Sequence, residues 1–159
     1  MKLYHGSNMA VYEPQILVSD RKLDFGTGFY LTSSLEQAER WAELTADRRG
    51  TGKPAISVYE FDETKLAELK VLMFEKANKR WLDFVAANRD NTIDDHKWDI
   101  VIGPVANDRT MPVIRLFIAK VYTAAEALRR LLPQKLHNQY TFKTQTALQL
   151  LKFHGVIEK

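Results

Sequence analysis

Leu23-Asp24-Phe25-Gly26-Thr27-Gly28-Phe29-Tyr30-Leu31-Thr32 is the stretch around which the chain is organised. Its two glycines, one residue apart, let the backbone turn sharply and approach a ligand, because neither carries a Cβ. The aromatic and β-prone residues 29–32 then predict a short strand. The stretch is therefore either a turn that holds a ring beside a polar ligand or a β-turn that only reverses the chain.

The rest of the chain predicts a mixed α+β architecture in one domain over residues 1–159. Ser34 with Gln37, and Thr123 with Glu126, are capping boxes that open helices. Periodicity predicts further helices over 74–88, from Pro112, and through 147–153. Strands are predicted at 2–5, 55–61, 98–102 and 138–143, and near Val156, with a short helix and a strand within 65–73.

Composition limits the class of protein. A chain of 159 residues that is 45% hydrophobic suits a globular domain with a sizeable core. No apolar run approaches the roughly 18 residues that span a bilayer, and residues 1–6 lack the apolar stretch of a signal peptide. There is no cysteine, and the four histidines lack the spacing of a helical metal motif. We expect a cytoplasmic protein with no membrane partner and no metal.

Charge is distributed unevenly along the chain. Residues 115–159 hold eight Lys or Arg and two Asp or Glu, whereas residues 1–114 hold fifteen and eighteen. A basic C-terminal third fits nucleic acid or another anionic partner. The same excess is also typical of a solvated surface.

Two familiar motifs within the glycine stretch do not fit their usual context. Asp24-Phe25-Gly26 spells the magnesium-binding tripeptide of protein kinases, but a kinase needs two further loops upstream, and only 23 residues precede it. The dinucleotide-binding fingerprint needs a third glycine that opens a helix, and a strand is predicted here instead.

Four segments together carry a family resemblance. They are Leu3-Tyr4-His5-Gly6-Ser7, the glycine stretch with Ala38 and Trp41-Ala42 after it, Gly103-Pro104-Val105-Ala106-Asn107-Asp108, and Gln139-Tyr140-Thr141-Phe142-Lys143-Thr144 before Ala147-Leu148. In these segments the chain resembles the ADP-ribosyltransferase superfamily and, more narrowly, the bacterial DUF3990 family. The resemblance implies two small antiparallel or mixed sheets that form an NAD cleft flanked by helices. It also implies transfer of ADP-ribose from NAD to a protein or nucleic acid, by a toxin or regulatory enzyme that a partner such as an antitoxin restrains.

The resemblance implies roles for individual residues. His5 would bond ribose hydroxyls, the Gly6 backbone would bond the nicotinamide carboxamide, and Tyr30 would stack on the nicotinamide ring. Thr32 or Ser33 would add a hydroxyl contact. The implied binding set is His5, Gly6, Ser7, Gly28, Tyr30, Thr32 and Ser33. Arg21 and Lys22 are candidates for the pyrophosphate, or simply surface residues.

The implied catalytic set is His5, Tyr30, Gln139 and Asp108. The superfamily usually has a glutamate where this chain has Gln139, and a neutral amide cannot act as a general base. Either the acceptor is intrinsically nucleophilic, or Asp108 supplies the charge, or NAD binds without efficient transfer. Asp108 and Arg109 also suit an ion pair or a helix cap. Because Gln139 alternates with Tyr140 and Phe142, we expect Gln139 to face the cleft and the two rings to face the core.

Two other functions remain open from the sequence. One is a module that binds NAD or another nucleotide without catalysis. The other is a nucleic-acid-binding domain that uses the basic C-terminal third, with Tyr140 and Phe142 stacking on bases.

Overall fold

A computed structural model describes residues 1–16, 23–90, 97–106, 109–131 and 136–158. These residues form an α+β fold. The strands are β1 (Lys2–Ser7), β2 (Phe29–Thr32), β3 (Ala55–Phe61), β4 (Val71–Met73), β5 (Ile100–Pro104), β6 (Asn138–Phe142) and β7 (Leu151–Glu158). The helices are α1 (Leu35–Arg49), α2 (Lys79–Arg89), α3 (Met111–Ile118), α4 (Ala124–Leu131) and α5 (Gln145–Leu148), with a 3₁₀ helix at Glu63–Glu68.

The strands form one seven-stranded sheet in the order β4-β5-β6-β2-β1-β3-β7. Neighbours are antiparallel except for β4 and β5. The expectation of two separate sheets is therefore wrong. The reason is the contact between β1 and β2, where the pairing of Tyr4 with Thr32 joins two blocks of strands into a continuous sheet.

Each face of the sheet carries a hydrophobic core. Residues directly opposite in neighbouring strands share a face, so the register assigns Tyr4, Thr32, Gln139, Thr141 and Val101 to one side. Helices α1–α4 pack on this side, which we call the helical face. The other side, the aromatic face, carries Phe29, Tyr59, Phe61 and Phe142, with α5 and the 3₁₀ helix against it.

Several element boundaries differ from the sequence prediction for local reasons. Helix α2 begins at Lys79 rather than near residue 74, because the Asn78 side chain caps it by accepting from the Trp81 N–H at 3.0 Å. Phe74 lies before that cap, and its N–H donates to Ile102 O at 2.8 Å. Leu151 and Phe153 belong to β7 rather than to a helix, because they pair with Phe61 and Tyr59 of β3. The strand predicted within 65–73 is confirmed as β4, and the short helix predicted there is the 3₁₀ helix that begins two residues earlier, at Glu63.

None of the described helices combines the length and the apolar character needed to cross a membrane.

Lys120 follows the end of α3 in a left-handed conformation, with φ of 62°. The N–H groups of Val121 and Tyr122 return to Leu116 O at 2.9 and 3.2 Å, a helix end that normally uses glycine at the left-handed position. A Cβ in that conformation costs about 1–2 kcal/mol. Lys120→Gly should therefore raise the free energy of unfolding by about 1 kcal/mol, measured by denaturant unfolding.

Lys120→Ala is the matched control, because it removes the charge and keeps the Cβ. It should give no gain in stability. An equal gain from both variants would show that charge, rather than backbone strain, limits this helix end.

Candidate functional site

The glycine turn is held in place by side chains from distant parts of the chain. Gly26 has φ of 77°, and its N–H returns to Leu23 O at 3.2 Å. The Lys143 ammonium, just after β6, donates to the carbonyls of Phe25 and Thr27 at 2.6 and 2.8 Å. The turn is thus attached to the end of the strand that carries Gln139.

Asp24 ties the same turn to the helical face. Its carboxylate is 7% exposed and forms an ion pair with Arg89 at the end of α2, whose Nε donates at 2.8 Å. The second carboxylate oxygen accepts from the Ala106 N–H, in the loop after β5, at 3.2 Å. Asp24 therefore has a structural role here, which the sequence did not reveal because Arg89 lies 65 residues away.

Tyr30 closes the turn from the strand side. Its hydroxyl donates to Gly26 O at 2.6 Å and accepts from the Phe25 N–H at 3.0 Å. The half-buried ring packs against the core of the helical face. Its hydroxyl is thus already engaged by the turn, whereas the implied stacking on nicotinamide concerns the ring and stays a prediction.

Tyr30→Phe should lower the free energy of unfolding by about 1–3 kcal/mol, because it leaves the Phe25 N–H and Gly26 carbonyl without their partner while keeping the ring. Tyr12→Phe is the control, since Tyr12 is 64% exposed. Denaturant unfolding of both variants measures the difference. Equal stability of the two variants would contradict this role for the hydroxyl.

Gly28 is required by packing. A Cβ at this position would lie 2.6 Å from Thr141 Cγ2 and 2.9 Å from Phe142 O. Gly6 is similar, because its Cβ would lie 2.0 Å from Ala38 O in α1. Both glycines permit close contact with neighbouring backbone or side chains, which is a sufficient reason for glycine without any ligand.

His5 bridges β1 and β2 where their pairing ends. Its Nδ1 lies 2.7 Å from the Tyr30 carbonyl oxygen, and its ring stacks on Phe29 with centroids 4.2 Å apart. Because a carbonyl only accepts, Nδ1 carries the proton, and Nε2 of the neutral ring is left as an acceptor. That acceptor suits a hydroxyl donor, the group that the resemblance assigns to His5.

The half-buried imidazole is held in its neutral form. Burial lowers the pKa of His5 to about 4, the Tyr30 carbonyl opposes that shift, and Arg49 adds to it. His5 therefore carries no charge at neutral pH, so it can bind a hydroxyl but cannot neutralise a phosphate.

A segment of irregular chain crosses the aromatic face beside His5. The Val11 N–H donates to Ser57 Oγ at 2.8 Å, and Ser57 is the direct partner of His5 in β3. The Tyr59 hydroxyl donates to Val11 O, and burial raises the pKa of Tyr59 to about 12, so this donor stays protonated. The segment around Val11 is thus bonded to the β3 residue that pairs with His5.

Gln139 lies on the helical face, directly opposite Thr32 on one side and Gly103 on the other. It is 2% exposed, and its Nε2 has no hydrogen-bond partner among the residues described. Tyr140 and Phe142 belong to the aromatic-face core, as expected, whereas the expectation that Gln139 faces a cleft stays a prediction. The register brings Gln139, Thr32 and Tyr30 to one face and His5 to the other.

Three predicted binding residues have structural contacts. The Thr32 hydroxyl donates to Asn138 O at 2.9 Å and accepts from the Ser34 N–H at 3.1 Å. Ser7 is buried, and its Oγ donates to Asn8 Oδ1 at 3.3 Å. Ser33 is exposed, and its side chain forms a hydrogen bond with the Tyr140 hydroxyl. Burial and the nearby Glu63 raise the pKa of Tyr140, whereas the bond to Ser33 lowers it.

Asp108, Arg21 and Lys22 lie outside the described residues, so their predicted roles stay predictions. Within the described ranges, no group of three or more His, Cys, Asp or Glu side chains could hold a metal ion.

Several of the described basic residues in the C-terminal third are bonded within the chain. Arg129 and Arg130 both pair with Glu126 at 2.8 Å, and the Lys143 ammonium is used by the glycine turn. Phe142 is fully buried, so it is not available for stacking on a base.

A groove of about 490 Å³ lies between α2 and the α3–α4 connection, and residues such as Asp83, Asp90, Phe117, Lys120 and Tyr122 line it. It includes none of the strand residues discussed above. We base the candidate site on the buried polar groups of the strands, because shape alone does not point to a chemistry here.

The fold and site define an α+β protein with a buried polar patch on the helical face and a histidine bridge between two central strands. Residues 1–153 match the family model described as "Protein of unknown function (DUF3990)", and the chain belongs to this family. No curated protein and no solved structure matches the chain.

The neutral state of His5 predicts a pH dependence of stability. The unfolded chain binds a proton at His5 near pH 6.5, whereas the folded chain does so only near pH 4. Stability should therefore fall as the pH is lowered from about 6.5 to 4, by up to about 3 kcal/mol from this group. Urea unfolding at several pH values measures how the free energy of unfolding changes with pH. The His5→Gln variant should lack the part of this pH dependence that His5 contributes.

An imidazole signal that is absent from His5→Gln should titrate near pH 4 in NMR spectra of the parent. A midpoint near 6.5 would contradict the burial of His5.

Proposed function

We propose that this protein binds NAD where β1, β2 and β6 adjoin, and transfers its ADP-ribose to an acceptor. The observation that carries the proposal is the buried Gln139 side chain, whose amide nitrogen has no partner within the described chain. A buried donor without a partner costs about 1–3 kcal/mol. A ligand that accepts from it would recover that free energy on binding.

The position of Gln139 also supports the proposal. It is adjacent in the sheet to Thr32 of β2, and the histidine bridge lies where β2 meets β1. These are the strands that carry the residues implied by the resemblance to ADP-ribosyltransferases. His5 would offer a neutral acceptor and Gln139 a neutral donor to hydroxyls of the dinucleotide.

The two groups lie on opposite faces of a continuous sheet, which limits how one ligand could contact both. The pairing of β1 with β2 at Tyr4 and Thr32 offers a solution. A dinucleotide that enters beside this pair, where the ladder between the two strands ends, would have access to both faces. Its binding would replace or lengthen the bond between His5 and the Tyr30 carbonyl.

The cleavage step needs little from a general base. Breaking the bond between nicotinamide and ribose C1′ passes through an oxocarbenium-like state, with both bond electrons leaving on nicotinamide. The acceptor's nucleophilic atom then bonds C1′ and loses its proton. A neutral Gln139 can orient the ribose but cannot take that proton, so the acceptor or another residue must supply the base.

Gln139→Ala should lower nicotinamide release by about a hundred- to a thousandfold, the usual cost of losing one hydrogen bond made in the transition state. Folding should change little, because the amide nitrogen bonds no other group within the described part of the chain. Nicotinamide release from NAD and labelling of acceptors in a cell lysate are measured separately. Gln149→Ala, at an exposed glutamine after α5, is the matched control and should behave as the parent.

Gln139→Glu tests the effect of charge at the same position. A carboxylate stabilises developing positive charge better than an amide, so hydrolysis of NAD should be kept or raised. Acceptor labelling can fall if the acceptor site rejects the added charge. Release of nicotinamide by Gln139→Ala at the parent's rate would refute the proposed role of Gln139.

NAD binding without any nicotinamide release would instead favour the second candidate, a nucleotide-binding module. That candidate is supported by the neutrality of Gln139 and of His5.

A further inference from the structure

Two buried polar atoms on β6 have no hydrogen-bond partner among the residues that the structure describes, and both belong to the helical face. One is Gln139 Nε2 and the other is Thr141 Oγ1, on a residue that is 0% exposed. Side chains two residues apart on a strand point to the same side. The pair therefore forms one buried patch rather than two unrelated defects, and sequence reasoning assigned no role to Thr141.

Packing fixes the direction of the Thr141 side chain. Its Cγ2 fills the space that a Cβ on Gly28 would need, since that Cβ would lie only 2.6 Å from it. The methyl is therefore directed at the glycine turn, and a threonine rotamer that keeps it there also fixes the hydroxyl. The hydroxyl cannot turn toward Gly28 for a partner without moving that methyl.

The wall beside the patch comes from the same turn. Gly103, directly opposite Gln139, faces Phe25 and Phe74, and a Cβ on it would lie 3.1–3.2 Å from their side chains. Aromatic rings cannot satisfy an amide donor or a hydroxyl in the ordinary way. The polar side chains of Gln139 and Thr141 are thus bordered by apolar surface. This arrangement favours a ligand group that can form hydrogen bonds with both side chains.

We propose that Gln139 and Thr141 together form a seat for an uncharged, hydroxyl-bearing group of the ligand, and that Thr141 is a second ligand-contacting residue. Such a hydroxyl accepts from the Gln139 amide and donates to Thr141 Oγ1, so both orphan atoms gain a partner. A phosphate does not suit the seat, because an amide and a hydroxyl supply no charge to balance it. The nearby Lys143 ammonium is bonded to the Phe25 and Thr27 carbonyls.

The identification of the ligand as a ribosyl compound rests on the proposed function, whereas the seat itself rests on the two orphan atoms. Covering residues, Phe25 among them, must move for a ligand to enter. The tests therefore measure the thermal stability of the ligand-free protein as well as the affinity for ligands.

Two threonines on the helical face provide a matched pair of variants. Thr32 and Thr141 are both 0% exposed, but the Thr32 hydroxyl bonds Asn138 O and the Ser34 N–H. Thr141→Val should leave Tm unchanged or raise it, because it removes an unpartnered hydroxyl and keeps the shape. Thr32→Val should lower Tm by several degrees. A comparable loss of Tm in Thr141→Val would overturn the seat, because it would show that the hydroxyl is bonded within the protein.

Calorimetry with NAD, nicotinamide riboside and inorganic phosphate tests the ligand class. Thr141→Val should weaken binding of the two ribosyl compounds about three- to tenfold, the usual effect of one neutral hydrogen bond. Thr141→Ser, which keeps the hydroxyl, should restore most of the affinity. Phosphate should not bind the seat or compete with either compound.

The outcomes separate this inference from the proposed function. If NAD binds the parent and Thr141→Val equally, the seat is wrong and NAD binding stands. If nicotinamide riboside binds in a Thr141-dependent way and NAD does not bind, the seat stands and the proposed function fails. Binding of neither compound to the parent overturns both.

Discussion

The rest of the structure depends on the hydrogen bonds and the ion pair that hold the glycine turn in place. Hydrogen bonds from Tyr30, Lys143, Arg89 and the loop after β5 converge on residues 24–27. This places Phe25 against Phe84, with ring centroids 5.8 Å apart, in the core between the sheet and α2. The turn thereby sets the position of β2, and β2 links β6 to β1. A change in the turn is therefore a change at the centre of the sheet.

The junction between β1 and β2 explains why one sheet forms where two were expected. β2 pairs with β6 along its whole length, and β1 pairs with β3 along its own, but β1 and β2 share the pair of Tyr4 with Thr32. Beyond that pair, a side-chain hydrogen bond from the His5 imidazole to the Tyr30 carbonyl connects the two strands. A side-chain bond can be exchanged for a ligand at lower cost than a run of ladder bonds. The junction therefore combines continuity of the sheet with a contact that depends on a single side chain.

The sequence predicted most elements because their signals are local. The cap at Ser34 and the alternation of Gln139 with Tyr140 act within a few residues. The pairing of Asp24 with Arg89, and of Lys143 with the turn, acts across 65 and more than 100 residues, so no local pattern reveals it. The same limit applies to the two glycines. The glycine motif singles out Gly28 and the family resemblance singles out Gly6, but the packing of Thr141 and Ala38 against them gives a reason that no local pattern contains.

The chemistry of the candidate site follows from the absence of charge on its best-defined groups. Gln139 is an amide, Thr141 is a hydroxyl, and burial keeps His5 neutral. Buried neutral groups select partners by hydrogen-bond geometry rather than by Coulomb attraction, which favours sugar hydroxyls over phosphates. They also stabilise a developing cation less than a carboxylate does. In the transfer that we propose, such groups would orient a ribosyl group without supplying the charge that activates it, so the reactivity of the acceptor would decide the rate.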